Sequence, residues 1–299
     1  MESLFSALPT PFIDDEIDYK SLEKLIDFQV DGGVEGLVFS GSTGEGHSFT
    51  KEEWGELMKF AVKYTNKRAK VIAGVGFNIT KPAVEYAKLA EEIGVDYILA
   101  TTPYYNKPQQ DGIYQHFSSI ANSAKNTQII LYNVPGRTAT DMSNDTIVKL
   151  ARDFDNIVAL KDATGKLERV VDLKLKLEKV VVKNFTLLSG EDATQIGFNA
   201  MGGAGVISVV SNIAPKLCKK IQDACKNNDY KTALECQNDL AILSSAMFCE
   251  SNPVPVKYAL YKMGIFTSDK PRLPLITLSE DSKNKVEKAL ELVKWCFDW

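Results

Sequence analysis

The chain is poor in the residues on which much enzyme chemistry is built. Its 299 residues include two histidines, His47 and His116, far apart and without HExxH spacing, so neither a histidine metal centre nor a Ser-His-Asp triad has material to work with. No metal is expected. The five cysteines, Cys218, Cys225, Cys236, Cys249 and Cys296, are odd in number, lack CxxC spacing and crowd into the last third. They read as reduced, mostly buried thiols, not a disulfide scaffold. No apolar run approaches the roughly 18 residues of a spanning helix, and the start MESLFSALPTPF carries Glu2 where a secretory signal carries Lys or Arg. A cytoplasmic protein without a membrane partner is therefore expected. Lys+Arg 35 against Asp+Glu 39 leaves a net charge of −4, without a long run of one sign, so nucleic acid is not an expected partner. Neither GxGxxG after the first strand nor GxxxxGK[ST] occurs, and no cofactor is expected.

What is present is a repeat. Hydrophobic content of 44% with 25% charged residues suits a globular chain with a large core. Apolar runs recur as GLVFSG (36–41), KVIAGVG (70–76), YILATTP (97–103), QIILYNVP (128–135), IVALKDAT (157–164), FTLLSG (185–190) and GVISVV (205–210). They are apolar throughout, as parallel strands covered on both faces are, and stretches of helical period separate them. Leu22, Leu25, Ile26 and Val30 form one such stripe after Asp18, a candidate N-cap. Trp54, Leu57, Met58, Ala61 and Val62 form another, and Thr80 is a candidate cap for a third. With SLFSALPTPF as a first strand there are eight βα steps, which predicts an α/β fold: a (β/α)8 TIM barrel over residues 1–214. Helical patterns near 215–226, 230–249 and 280–297, with a short one opened by Asn252-Pro253-Val254-Pro255, predict a C-terminal helical extension over 215–299, packed on the barrel. A doubly wound open sheet is the alternative, and it lacks its nucleotide fingerprint.

In such a barrel the active site lies at the C-terminal strand ends. Lys161 follows Ile157-Val158-Ala159-Leu160 on the sixth predicted strand. A buried lysine either pairs with a carboxylate, here Asp162 or Glu191, or serves as a neutral amine able to form a Schiff base. Tyr132 is the fifth residue of QIILY as Lys161 is of IVALK, and equal positions on neighbouring strands roughly 4.8 Å apart put both in one layer. A phenol beside an amine can shuttle protons, although a core tyrosine is the plainer reading of Tyr132 alone. Ser42 and Thr43, in Gly41-Ser42-Thr43-Gly44-Glu45, offer hydroxyls and free N–H groups to a carboxylate or a proton relay, or mark a turn. Arg137, after the fifth predicted strand, either clamps a carboxylate or is solvated. Gly190 and Gly202-Gly203 read as close backbone approach or turn chemistry. Tyr104 and Tyr105 are loop aromatics beyond the fourth predicted strand, one of which could reach a neighbouring subunit.

Taken in order, GSTGE at 41–45, TTPYYNKP at 101–108, LYNVPGRT at 131–138, IVALKDATG at 157–165, LLSGEDA at 187–193, GVISV at 205–209 and ESNPVPVK at 250–257 carry a signature over almost the whole chain. The chain resembles the dihydrodipicolinate synthase (4-hydroxy-tetrahydrodipicolinate synthase) family, in the pyruvate-dependent class I aldolase superfamily that includes N-acetylneuraminate lyase. The resemblance implies condensation of pyruvate with L-aspartate 4-semialdehyde, the first committed step toward diaminopimelate and lysine. It implies Lys161 as the imine-forming residue and Tyr132, Thr43 and Tyr105 as the proton relay, Tyr105 reaching across a dimer interface. Arg137 would hold the semialdehyde carboxylate, Ser42 and Thr43 the pyruvate carboxylate, and the backbones of Gly190 and Ile207 would border the substrate. A homotetramer, a dimer of dimers, is the implied assembly. Ser42 departs from the more common Thr but keeps the hydroxyl. Asn78 and Tyr104 match a lysine effector site, yet Pro82 stands where inhibited members usually carry Glu, and Trp54 where they often carry His. A lost charge-assisted contact is worth about 1.5–3 kcal/mol, roughly tenfold to a hundredfold in affinity, so weak feedback inhibition is expected. The alternatives are another pyruvate-dependent aldolase, such as N-acetylneuraminate lyase or 2-keto-3-deoxygluconate aldolase, and a non-catalytic barrel that binds a small acid.

Overall fold

The computed structural model describes residues 3–182 and 184–292. Eight strands, β1 (Leu4–Ala7), β2 (Gly36–Phe39), β3 (Lys70–Val75), β4 (Tyr97–Thr101), β5 (Gln128–Asn133), β6 (Ile157–Asp162), β7 (Thr186–Ser189) and β8 (Gly205–Ser208), pair in parallel as neighbours. β1 pairs with both β2 and β8, which closes the barrel. β1, β2 and β8 are buried at every position, because side chains on one face fill the barrel and those on the other meet the helices.

The helices follow from local signals. Asp18 caps Tyr19–Asp31 by accepting from the Ser21 N–H, and Leu22, Leu25 and Ile26 turn inward. Lys51–Thr65 starts on a capping box of Thr50 and Glu53 and buries Trp54, Leu57, Met58 and Ala61. Thr80 is not a cap. The helix Thr80–Ile93 begins at this residue after Ile79, and the Thr80 hydroxyl goes to His116 Nδ1, 3.0 Å away on Gln110–Ser123, instead of to its own backbone.

A two-stranded antiparallel hairpin, Phe12–Ile13 with Glu16–Ile17, follows β1. Its turn residues Asp14 and Asp15 take φ of 48° and 70°, the left-handed pair that a two-residue hairpin turn needs. After β8 come Pro215–Lys226, Tyr230–Met247, Val254–Lys262 and Glu280–Leu292. Pro215 and Lys219 pack on Gly32 and Gly33 at the end of the first helix, and Gln222 accepts from Asn199 on Gln195–Ala200. Pro215–Lys226 thus stands in the ring between the first and seventh barrel helices. We propose the division between barrel and extension after it, at 227–229, instead of at 214.

Cys218, Cys225 and Cys236 are buried, Cys249 is half-buried, and all four are free thiols. Cys296, like the last part of the helical pattern expected over 280–297, lies outside the described residues. Among the described residues no helix is long and apolar enough to cross a membrane.

Candidate active site

Strand register places the two central groups side by side. Tyr132 on β5 is the partner of Lys161 on β6, and the Lys161 Nζ stands 4.3 Å from the centre of the Tyr132 ring. Both side chains are buried. Successive strand residues face opposite ways, so Asp162 does not answer Lys161. It accepts from the Thr164 N–H and Oγ1 at 3.1 Å each and lies 3.5 Å from Arg169. Among the described residues Lys161 forms no ion pair within 4.0 Å.

Lys161 and Tyr132 open on a cavity at the C-terminal end of the barrel, which Ser42, Thr43, Arg137 and Gly190 also line. Six residues expected from the sequence therefore converge. Glu191, Val209, Phe248 and Asn252 are also on its wall. A wider vestibule continues outward past Ser42, Arg137 and Asn252 to His47, Tyr104 and Leu275.

Burial perturbs two adjacent carboxyls, of which Glu191 lines the cavity. Burial pushes the Glu191 carboxyl up from its ordinary range, Asp192 adds to the rise, and the Lys161 charge opposes it. Burial pushes Asp192 up as well, against the Ser208 hydroxyl and the N–H groups of Val209 and Val210, which donate to it and favour the carboxylate. These bonds tie β8 to the residues after β7.

The hydroxyl loop is braced on both sides. A Cβ at Gly46 or Gly74 would run into the Ser40 carbonyl, so only glycine lets the chain fold back here. Glu45 holds a left-handed φ of 55° while fully buried, paired at 2.6 Å with the equally buried Lys257 and accepting the Arg272 N–H at 2.9 Å. Asn252 donates from Nδ2 to the Thr43 Oγ1 at 2.9 Å, and its own carbonyl accepts from the Arg137 guanidinium at 3.3 Å. Gly190 sits where a Cβ would stand 2.7 Å from that of Ala163, the close approach its position suggested.

Other expected residues lie apart. Tyr105 is 87% exposed with a φ of 72° and does not line the cavity of its own chain. Ile207 is buried on β8 opposite Phe5, and its neighbour Val209 is the residue at the cavity wall. Tyr104 borders the vestibule, while the Asn78 carbonyl accepts from Asn106. Trp54 is a core side chain whose indole donates to the Gly74 carbonyl at 3.1 Å. Sequence reasoning assigned no role to Asn252, Lys257 or Asp192. A lysine inside the apolar run VPVKYAL was the available signal for a buried ion pair.

The profile of the dihydrodipicolinate synthetase family matches residues 1–293. A 4-hydroxy-tetrahydrodipicolinate synthase of Bartonella henselae is 44% identical over 291 residues, 97% of either chain. The crystal structure of dihydrodipicolinate synthase from Aquifex aeolicus covers 100% of both chains at 38% identity, with a TM-score of 0.94. That of the Cyanidioschyzon merolae enzyme with lysine bound covers 98% of each at 33% identity, with a TM-score of 0.92.

Proposed function

The chain belongs to the dihydrodipicolinate synthetase family, and from that premise we propose that it condenses pyruvate with L-aspartate 4-semialdehyde to 4-hydroxy-tetrahydrodipicolinate, the first committed step toward diaminopimelate and lysine. The observation that carries the reading is the Lys161 amine held over the Tyr132 ring in a cavity walled by hydroxyls and one arginine.

The Lys161 amine attacks the carbonyl carbon of pyruvate. Tyr132 gives a proton to the carbinolamine hydroxyl, which leaves as water, and the imine forms. The imine takes up the electron pair when C3 loses a proton, so an enamine arises without a resident cofactor. The enamine carbon bonds to the aldehyde carbon of the second substrate, whose oxygen gains a proton. The amine of that substrate then attacks the imine carbon, closes the ring and releases Lys161. Ser42 and Thr43 hold the pyruvate carboxylate, Arg137 forks the carboxylate of the semialdehyde, and the backbone of Gly190 borders the bound substrate. Thr43 relays protons between Tyr132 and Tyr105, the latter supplied by a partner subunit. Tyr105's exposure suits a group that completes another chain's site. We take the assembly to be a homotetramer, a dimer of dimers, in the cytoplasm, where free thiols such as those here stay reduced. Asn78 and Tyr104 are the residues we would assign to a lysine effector site.

Pyruvate consumption separates this reading from its relatives. The protein consumes pyruvate when given the semialdehyde and releases none from N-acetylneuraminate or 2-keto-3-deoxygluconate. Release from either sugar acid without consumption in the first assay would assign it to a sugar-acid aldolase.

A further inference from the structure

Asn252 reaches the cavity from the extension, on the turn between Tyr230–Met247 and Val254–Lys262. Its side chain is buried and bonds to a hydroxyl 209 residues earlier in the chain. The segment that carries it is fixed one turn later, where Lys257 pairs with Glu45 of the same loop as Thr43, both 0–1% exposed. Asn252 thus stands between the hydroxyl of Thr43 on one side and the guanidinium of Arg137 on the other.

We propose that Asn252 is a positioning residue, whose side-chain amide sets the direction in which the Thr43 hydroxyl passes its proton. A hydroxyl has one proton and two lone pairs. By donating to one lone pair, the amide of Asn252 leaves the Thr43 proton free to point into the cavity. When that proton moves from Thr43 Oγ1 to the oxygen of Tyr132, the charge that builds on Oγ1 meets an N–H already aimed at it. The O–H bond of Thr43 breaks and that of Tyr132 re-forms as Tyr132 hands its own proton to the carbinolamine hydroxyl; Tyr105 returns a proton to Thr43, and Asn252 keeps its own protons. The inference rests on the relay role given to Thr43 above.

Asn252→Asp tests it, because a carboxylate of the same shape accepts where the amide donates. It would claim the Thr43 proton and repel the developing charge. Rapid-quench borohydride trapping of pyruvate is expected to slow by about tenfold to a hundredfold, the worth of one hydrogen bond to a charged group. The KM for the semialdehyde stays near that of the wild type, since Arg137 bonds to the backbone of Asn252 and not to its side chain. In a Thr43→Val background the same substitution adds no further loss. Trapping at the wild-type rate, or an undiminished penalty beside Thr43→Val, would overturn the proposal. If circular dichroism shows Asn252→Asp unfolded, Asn252→Ala is read by the same two criteria. A wild-type protein that traps no pyruvate would sink the functional reading as well, whereas wild-type trapping with an unaffected Asn252→Asp sinks this inference alone.

Discussion

Arg137 and Lys161 are proposed to serve different substrates, and their separation makes those roles distinguishable. Lys161 sits deep among buried side chains, whereas Arg137 is exposed and borders both the cavity and the vestibule. Arg137→Ala is expected to leave imine formation largely intact while condensation falls by roughly a hundredfold, the scale of a lost bidentate carboxylate contact. Comparing single-turnover trapping with steady-state turnover checks this, and equal loss in both would make Arg137 a structural residue. Lysine is expected to inhibit weakly, because Pro82 offers no carboxylate and Trp54 is sealed in the core with its indole bound to Gly74. A purified enzyme halved in rate by micromolar lysine would contradict that. Lys161, Tyr132 and Arg137 were legible because each follows an apolar run at a countable position. Asn252 was not, since its partner Thr43 is distant in the chain and only folding brings the two together.

At the level of elements, the eight runs were readable because parallel strands buried on both faces are apolar at every step. The hairpin after β1 was not, since two residues per strand carry no period to detect. Nor was the fate of Thr80, whose hydroxyl is taken by a neighbouring helix through His116. The burial of His116 makes the helix pair sensitive to pH. Burial lowers the pKa of His116 from its ordinary 6.5 to about 4, and its Nε2 is buried without a partner. Between those values the unfolded chain binds a proton that the folded chain refuses, so stability falls as pH drops from 6.5 toward 4, by up to about 3 kcal/mol. His116→Phe is expected to flatten this dependence. Urea midpoints of both proteins at pH 7 and pH 5 measure it, and parallel losses in the two would show that other groups are responsible.

Over the whole molecule, the barrel presents the cavity residues and the extension braces the loop that carries Thr43, through Asn252 on Thr43 and Lys257 on Glu45. The proposed assembly would add the last group. If Tyr105 acts in a partner's site, Tyr105→Phe and Lys161→Ala are each inactive alone, yet mixing and reassociating them restores activity, because a hybrid pair holds one complete site. No recovery on mixing would place Tyr105 outside the relay. The central claim is that Lys161 is the amine that binds pyruvate, and borohydride trapping tests it most directly. Incubation with pyruvate and borohydride, followed by peptide mass analysis, is predicted to find one reduced pyruvate per chain, on the peptide carrying Lys161 and absent from Lys161→Ala. An unmodified chain, or an adduct on another lysine, would contradict the account.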